Sequence, residues 1–375
     1  MIVIPIIISI LYFSIIISFI IGFDKVETIN NRLTVPKISF SIVVPFRNEA
    51  KNITDLLNSI SALNYPIDML EVLLINDASE DDSCTIIENF KQQFPSIAIL
   101  LLNNKRISGS PKKDAINTAI STAKFDWIVT TDADCIVPKS WLHLFNQFIE
   151  NKKPVFISAP VKFKEESSLL FQFQNLNFLS LIGSTIGSFG VKKPILCNGA
   201  NLCYSKATFK KLNGFEGNST IASGDDIFLL EKMIENFPEE THYLKSQDAI
   251  VETKSEKTIE FFLNQQIRWA SKSTNYKNIF TKFVGIVIFT MNLTILILLI
   301  SSLLFSFFWQ WLILVFIAKI LIDFILIQKT SEFLQNKIAL KNYFPIAFLY
   351  PFFTIFIVTV STFKSYKWKG RTFQK

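Results

Sequence analysis

The sequence predicts an α/β domain built on a mostly parallel sheet, with membrane-spanning helices before and after it. Three observations carry that expectation. Strand-like and helix-like segments alternate between residues 39 and 253, an order that folds into parallel strands with helices on both faces. Two of those strands run into acids, Asp77 and Asp132, and sheets of this kind bind ligands beyond the carboxyl ends of their strands. Apolar residues make up 50% of the 375-residue chain and gather at its two ends, which gives a mean hydropathy of +0.35.

Residues 2–23 are an almost unbroken apolar run rich in isoleucine, and a span needs about 20 such residues. No basic stretch precedes it and no small-residue cleavage site follows it. Residues 1–23 therefore read as an uncleaved span, not a signal peptide. Residues 24–38 form a polar linker, and residues 39–253 the α/β domain. Within it, residues 40–46 are a short apolar strand. The stretch from Asn52 to Leu63 has apolar residues at 53, 56, 57, 60 and 63, the spacing of a helix. Residues 71–77 form a second strand. Ser79 and Asp82 read as the cap of a helix that runs to about residue 93. Residues 97–102 are a third strand, 112–123 a helix and 127–131 a fourth strand. Residues 167–190 are apolar but carry Gln172, Gln174, Asn175 and Asn177. This suits a helix lying in the membrane interface or buried in the domain, not a span.

Residues 254–282 read as an interface segment, with Phe261, Phe262, Ile267 and Trp269 among polar groups along the bilayer surface. Residues 283–363 hold about three apolar segments: 283–306, 310–328 and 344–363. The first break falls at Phe307-Phe308-Trp309, and Pro345 and Pro351 interrupt the last segment. A basic tail, 364–375, carries Lys364, Lys367, Lys369, Arg371 and Lys375. One early and three later spans would put this tail opposite the catalytic domain, whereas the positive-inside rule keeps it cytosolic. A re-entrant 344–363 segment, or last turns lying flat, would reconcile the two.

The net charge of +7 is read as facing anionic lipid and fixing topology. Without zinc spacing or a helix-turn-helix pattern, no nucleic-acid partner is expected. The four cysteines, Cys84, Cys135, Cys197 and Cys203, form no CxxC pair and read as reduced thiols in a cytosol-facing domain. His143 and His242 are the only histidines, and both read as structural or surface residues.

The chemistry starts at Asp132-Ala-Asp134. In extended chain, residues i and i+2 point the same way, so both carboxylates can face one divalent cation, and that cation can hold a diphosphate. Around this pair stand Ser41-Ile-Val-Val-Pro-Phe-Arg-Asn-Glu49, Asp77 after a strand, Lys112 to Asn117 opening a helix, Ser223-Gly-Asp-Asp226, and Gln265-Gln-Ile-Arg-Trp269. Six motifs in this order, covering about residues 39–272, resemble the membrane-bound family 2 glycosyltransferases with the GT-A nucleotide-diphospho-sugar fold, including ceramide glucosyltransferase-like and polysaccharide synthase-like members.

The resemblance implies a site. Asp77 would hydrogen-bond the uracil or ribose, as an acceptor-only side chain can, and Lys112 would lie near the nucleotide. Asp134 would bind Mg2+ or Mn2+ directly, with Asp132 contacting the donor or supporting the metal; hard oxygens suit both ions. Asp226 maps onto the catalytic base that takes the acceptor proton. Asp225 departs from the glutamate usual in the family. Gly199, in Cys197-Asn-Gly-Ala-Asn201 between an apolar strand and a helix, would let sugar or acceptor approach the backbone. Gln265, Arg268 and Trp269 share one helix face. Arg268 would offer a forked cation to the diphosphate, and Gln265 and Trp269 would receive the acceptor.

The implied reaction is inverting transfer of a hexosyl group from a nucleotide-sugar, foremost a UDP-sugar, to a membrane lipid or lipid-linked acceptor. The alternative is a processive polysaccharide synthase coupled to export, which needs more membrane helices than the sequence offers. A non-enzymatic scaffold is disfavoured, because every expected acid is present. The abundance of Ile, Lys and Asn suggests an AT-rich bacterial genome, and so a multi-pass protein of the bacterial inner membrane with its catalytic domain facing the cytosol.

Overall fold

The computed structural model describes residues 3–32, 34–336, 340–363 and 366–373. The chain divides into two compact units: Glu27–Lys164 with Cys197–Lys254, and Met1–Val26 with Glu165–Leu196 and Ser255–Lys375. Elements are numbered along the chain.

The first unit is the sheet unit. It contains β1 (Phe40–Phe46), α2 (Ile53–Ser61), β2 (Leu70–Asn76), α3 (Ser83–Gln93), β3 (Ile99–Asn103), α4 (Pro111–Thr122), β4 (Trp127–Thr130), α5 (Trp141–Lys152), β5 (Phe156–Ser158), β6 (Val161–Phe163), β7 (Leu202–Ser205), α7 (Lys206–Lys211), α8 (Asp225–Asn236), β8 (Thr241–Tyr243) and β9 (Val251–Thr253). Seven strands form one sheet in the order β3-β2-β1-β4-β7-β5-β8, and β6 pairs with β9. β1 to β4 are mutually parallel, while β7 runs antiparallel to β4 and β5. The strand order reverses at β1, so the carboxyl ends of β1, β2 and β4 form the crevice where such sheets take ligands. Strand residues such as Ile42, Val43, Val72, Leu73 and Val129 are fully buried, as expected for parallel strands covered on both faces.

The loops at this edge explain the Phe-Arg-Asn-Glu run. Asn48 and Ala78 both have positive φ, 53° and 57°, and the loops after β1 and β2 interlock. Asn48 N donates to Ser79 Oγ at 3.1 Å, Glu80 N to Asn48 Oδ1 at 2.8 Å and Ala50 N to Asp81 Oδ2 at 2.9 Å. The cap of α3 differs from expectation. Asp82 stands at the capping position without a side-chain bond, and Asp81 Oδ1 instead accepts from Ser83 N at 3.1 Å.

The second unit is apolar. It holds α1 (Val3–Lys25), α6 (Leu169–Gly190), α9 (Ile259–Ser271), α10 (Ile279–Leu304), α11 (Phe308–Phe333), α12 (Tyr343–Phe363) and a hairpin of β10 (Tyr366–Trp368) and β11 (Arg371–Phe373). Among the described residues, four helices are long and apolar enough to cross a membrane: α1, α10, α11 and α12. Despite Pro351, α12 is one continuous helix. Lys364 and Lys375 of the basic tail, Lys337 and Leu33 lie outside the described residues.

α6, expected in the membrane interface or buried in the α/β domain, is buried instead within the apolar unit, because its apolar side chains pack there. Its amides serve inside the unit: Gln174 Nε2 donates to Glu256 O and Glu256 N to Gln174 Oε1, each at 2.9 Å, and Asn336 Nδ2 donates to Asn175 Oδ1 at 3.0 Å. α1 crosses α6 at glycines. A Cβ on Gly190 would fall 1.8 Å from Gly22 O, and one on Gly187 2.3 Å from Phe19 O, so only glycine permits this approach. α9, expected along a bilayer surface, has one face packed within the unit. Ile267 packs on Ile357, and Phe262 stacks on Phe353 at 5.4 Å, while Ile259 and Phe261 remain exposed.

Candidate active site

Asp132 and Asp134 lie past the end of β4, in a turn closed by Cys135 N donating to Asp132 O at 3.1 Å. The strand alternation invoked for them therefore does not set their directions, because the chain has already left the extended form. What orients Asp132 is Lys112, from the first turn of α4. Its Nζ donates to Asp132 Oδ1 at 2.7 Å and stands 3.3 Å from Asp225 Oδ2. Burial on its own would lower the Lys112 pKa, but Asp132, Asp225 and Asp226 hold it above the ordinary lysine range. Lys112 is thus a fixed cation among three carboxylates.

Asp225 and Asp226 open α8 behind Gly224, whose φ of 83° is a left-handed turn suited to glycine. The exposed amides of a helix start favour acids here, and Ile227 N donates to Asp226 Oδ1 at 2.8 Å. Gly199 N approaches Asp226 Oδ2 at 3.4 Å, and Thr130 Oγ1 donates to Gly199 O at 2.8 Å. A Cβ on Gly199 would lie 3.2 Å from Asp225 Oδ2 and 3.5 Å from Lys112 Nζ. Gly199 therefore keeps room for this cluster's own side chains. Its run Cys197–Asn201 leads into β7, not into the expected helix. The reason is that Asn201 is fully buried: it donates to Pro160 O and Ala249 O and accepts from Trp141 Nε1.

Asp77 is held in a second cluster at the end of β2. Its Oδ1 accepts from Arg106 Nε at 2.7 Å and Asn104 Nδ2 at 2.8 Å, and its carbonyl accepts from Arg47 at 3.0 Å. Asn104 Nδ2 also donates to Pro111 O at 2.9 Å, the residue before Lys112, so one amide links the β3–α4 loop to both acids. Arg47, Asn104 and Arg106 were not singled out from sequence; an Arg inside the Phe-Arg-Asn-Glu run was the one signal present. Lys113, beside Lys112, is buried and anchored to backbone carbonyls. Its Nζ donates to Asn218 O at 2.7 Å and Ile221 O at 2.9 Å and lies 4.8 Å from the centre of the Phe228 ring on α8. Gln265, Arg268 and Trp269 belong to α9 of the apolar unit, where Gln265 Nε2 donates to Glu256 Oε1 at 3.2 Å.

Among the described residues, no three His, Cys, Asp or Glu side chains gather as a closed metal cage. Two neighbouring carboxylates, Asp132 and Asp134, are the hard-oxygen set that Mg2+ or Mn2+ takes when substrate phosphates and water complete its shell. Both are oxygen donors of the kind such an ion takes, and Asp132 Oδ1 meets Lys112 Nζ at 2.7 Å. The thiol of Cys135, fully buried beside them, is pushed well up by burial, then by Asp134 and Asp132, and is inert.

The profile described as "Glycosyl transferase family group 2" matches residues 127–361, and that described as "Glycosyl transferase family 2" matches residues 41–209. The chain belongs to the family 2 glycosyltransferases. This glycosyltransferase is 27% identical over 144 residues to a poly-beta-1,6-N-acetyl-D-glucosamine synthase of Staphylococcus epidermidis, covering 38% of this chain and 33% of that protein. It is 29% identical over 137 residues to the enzyme of the same name from Staphylococcus aureus strain COL, covering 36% and 32%. The match thus spans about a third of the length of these relatives. Among solved structures, it resembles the mannosyltransferase PcManGT from Pyrobaculum calidifontis in complex with GDP-Man and Mn2+. That likeness has a TM-score of 0.59 at 16% identity, over 96% of this chain and 98% of the other. The GT-A fold expected from the motifs is the fold found.

Proposed function

We propose that the protein transfers a sugar, with inversion, from a nucleotide-sugar to a membrane lipid or lipid-linked acceptor. The observation that carries the chemistry is the Lys112 cluster, in which one cation orders Asp132 and Asp225 beside Asp226. In this reading Asp226 accepts the acceptor hydroxyl's proton as that oxygen attacks the anomeric carbon. Asp225 and Lys112 hold the charge pattern around it, and Asp77, fixed by Arg106 and Asn104, reads the nucleoside. Mg2+ or Mn2+, held by Asp134 and Asp132, would supply charge neutralisation for the departing diphosphate. The motif alone assigns Arg268 to the diphosphate and Gln265 and Trp269 to the acceptor. A UDP-sugar donor is supported by the named relatives, whose N-acetylglucosamine product fits that donor class.

The four long apolar helices support a membrane-resident acceptor; in this reading the protein sits in the bacterial cytoplasmic membrane, with the sheet unit facing the cytosol, where nucleotide-sugars are made. A second reading, a processive polysaccharide synthase, is favoured by the printed names of those relatives. Mass spectrometry of membrane lipids with and without the protein separates the two. The expected result is a hexose-sized gain on a lipid. In Asp226→Asn the gain should fall about 1,000-fold, within the range for loss of a general base, with donor binding kept within about twofold. Long polymer in reconstituted vesicles would reject the lipid acceptor, and an active Asp226→Asn would reject the base.

A further inference from the structure

Of the four charged residues of α11, Lys329 and Glu332 lie near its end, while Lys319 and Asp323 sit in its middle, one helical turn apart. Lys319 lies eleven residues from one end of the helix and fourteen from the other, or about 16 and 21 Å along the axis. Neither end is within reach of a lysine side chain seeking water. The pair is closed upon itself. Lys319 Nζ donates to Asp323 Oδ2 at 2.6 Å, Tyr12 Oη donates to Asp323 Oδ1 at 2.7 Å, and the ammonium lies 5.5 and 5.6 Å from the ring centres of Tyr12 and Tyr350. The two side chains are 5% and 19% exposed.

From Tyr350 the chain of contacts continues. Its Oη donates to Asn177 Oδ1 at 3.0 Å, and Asn177 Nδ2 donates to Gln266 Oε1 at 3.1 Å. Gln266 sits on α9 between Gln265 and the Arg268-Trp269 pair. Side chains from α1, α11, α12, α6 and α9 thus form one line of directed contacts, all inside the apolar unit. Charges deep in an apolar helix are costly and rarely without a role. Replacing a buried ion pair by apolar groups is often neutral or favourable, so stability alone is a weak reason to keep one. What the pair adds is direction. Its ammonium lies over the Tyr350 ring, whose hydroxyl is held independently by Asn177.

We propose that this polar strut, from Lys319–Asp323 through Tyr350 and Asn177 to Gln266, sets the position of α9, so that Tyr350 is a positioning residue for transfer. The effect on turnover rests on the reading of Gln265, Arg268 and Trp269 given above; the effect on α9 does not.

The test uses the full chain in nanodiscs, with Tyr350→Phe and the neutral double variant Lys319→Met/Asp323→Leu. Amide exchange over residues 259–271 should rise about tenfold in both while α10 keeps its protection. Turnover should fall about tenfold with the donor KM unchanged within about twofold, and Lys319→Arg should retain both properties. Unchanged exchange over 259–271 in both variants overturns the proposal, as does a rise spread equally over every helix, which marks general loosening. Faster exchange in α9 with unchanged turnover supports the strut and counts against the motif reading, which Arg268→Ala tests directly.

Discussion

Two lysines in this protein are embedded among carboxylates, and their charge balance differs. In the sheet unit, Lys112 is outnumbered by Asp132, Asp225 and Asp226, and the Asp132 side chain is 37% exposed. In the apolar unit, Lys319 meets Asp323 one to one and is closed in by Tyr12 and Tyr350. On the proposed reading, an excess of carboxylate at the edge of a sheet can act on a cation, a proton or a hydroxyl. A balanced pair in apolar surroundings leaves nothing to give, and can only orient what it touches. On the two proposals above, the same residue types serve chemistry in one place and geometry in the other, and the local balance of charges separates them.

Breaking the balanced pair should have the largest effect. Lys319→Met strands Asp323 in an apolar setting, at a cost of about 3–5 kcal/mol. The expected outcome is loss of most folded protein after detergent extraction, measured by size-exclusion yield, with recovery when Asp323→Leu is added. Normal yield from the single variant would show that the carboxylate reaches water and that the pair is not closed.

Removing the outnumbered lysine should act on chemistry more than on folding. In Lys112→Met, Asp132 and Asp225 lose their shared cation but keep partial access to water, so the stability loss should be smaller, about 1 kcal/mol after screening. Turnover should fall about 100-fold, because the carboxylates that Lys112 orders would repel one another and shift by more than preorganised catalysis tolerates. Thermal melting and donor-dependent sugar transfer measure the two effects separately. A variant that melts far below the wild type yet turns over normally per folded molecule would invert the comparison.

Legibility in the sequence follows the range of the interaction. The alternation of β1, α2, β2, α3, β3, α4 and β4 is written in local periodicity, and so were the four apolar helices. Asp77, Asp132 and Asp226 were visible because they stand at the ends of periodic segments inside recognisable motifs. Arg106 and Asn104 sit in an irregular loop, and their partner Asp77 lies some 27 residues away, so no local pattern betrays them. The turn that carries Asp132 and Asp134 was read as strand because hydrophobic alternation locates a strand better than its end. Lys319 and Asp323 do not stand out in the sequence, because two charges barely dent the apolar run 310–328. Their meaning appears only once Tyr12 and Tyr350 arrive from other helices. The amides of α6 are legible as groups that need partners, but which partners they find depends on packing against distant segments such as Glu256 and Asn336.

His143 extends the comparison to a titratable ring that burial keeps neutral, and should give the smallest effect. It is buried on α5 with its ring 5.2 Å from that of Tyr65, and its Nδ1 has no hydrogen-bond partner among the described residues. Burial lowers its pKa, so the neutral ring is the form the fold prefers. The sign follows from proton binding. As pH falls past about 6.5, the unfolded chain takes up the proton before the folded one does. The contribution of His143 is therefore complete above that pH and is lost as pH drops toward the depressed folded value. His143→Phe removes the titration while keeping an aromatic ring against Tyr65. Melting curves should coincide, or favour the variant slightly, at pH 7.5, and should separate below about pH 6.5 with the wild type falling faster. Parallel curves down to pH 5 would mean that the ring gains its proton in the folded state as readily as in the unfolded one, and that burial at this position carries no charge penalty.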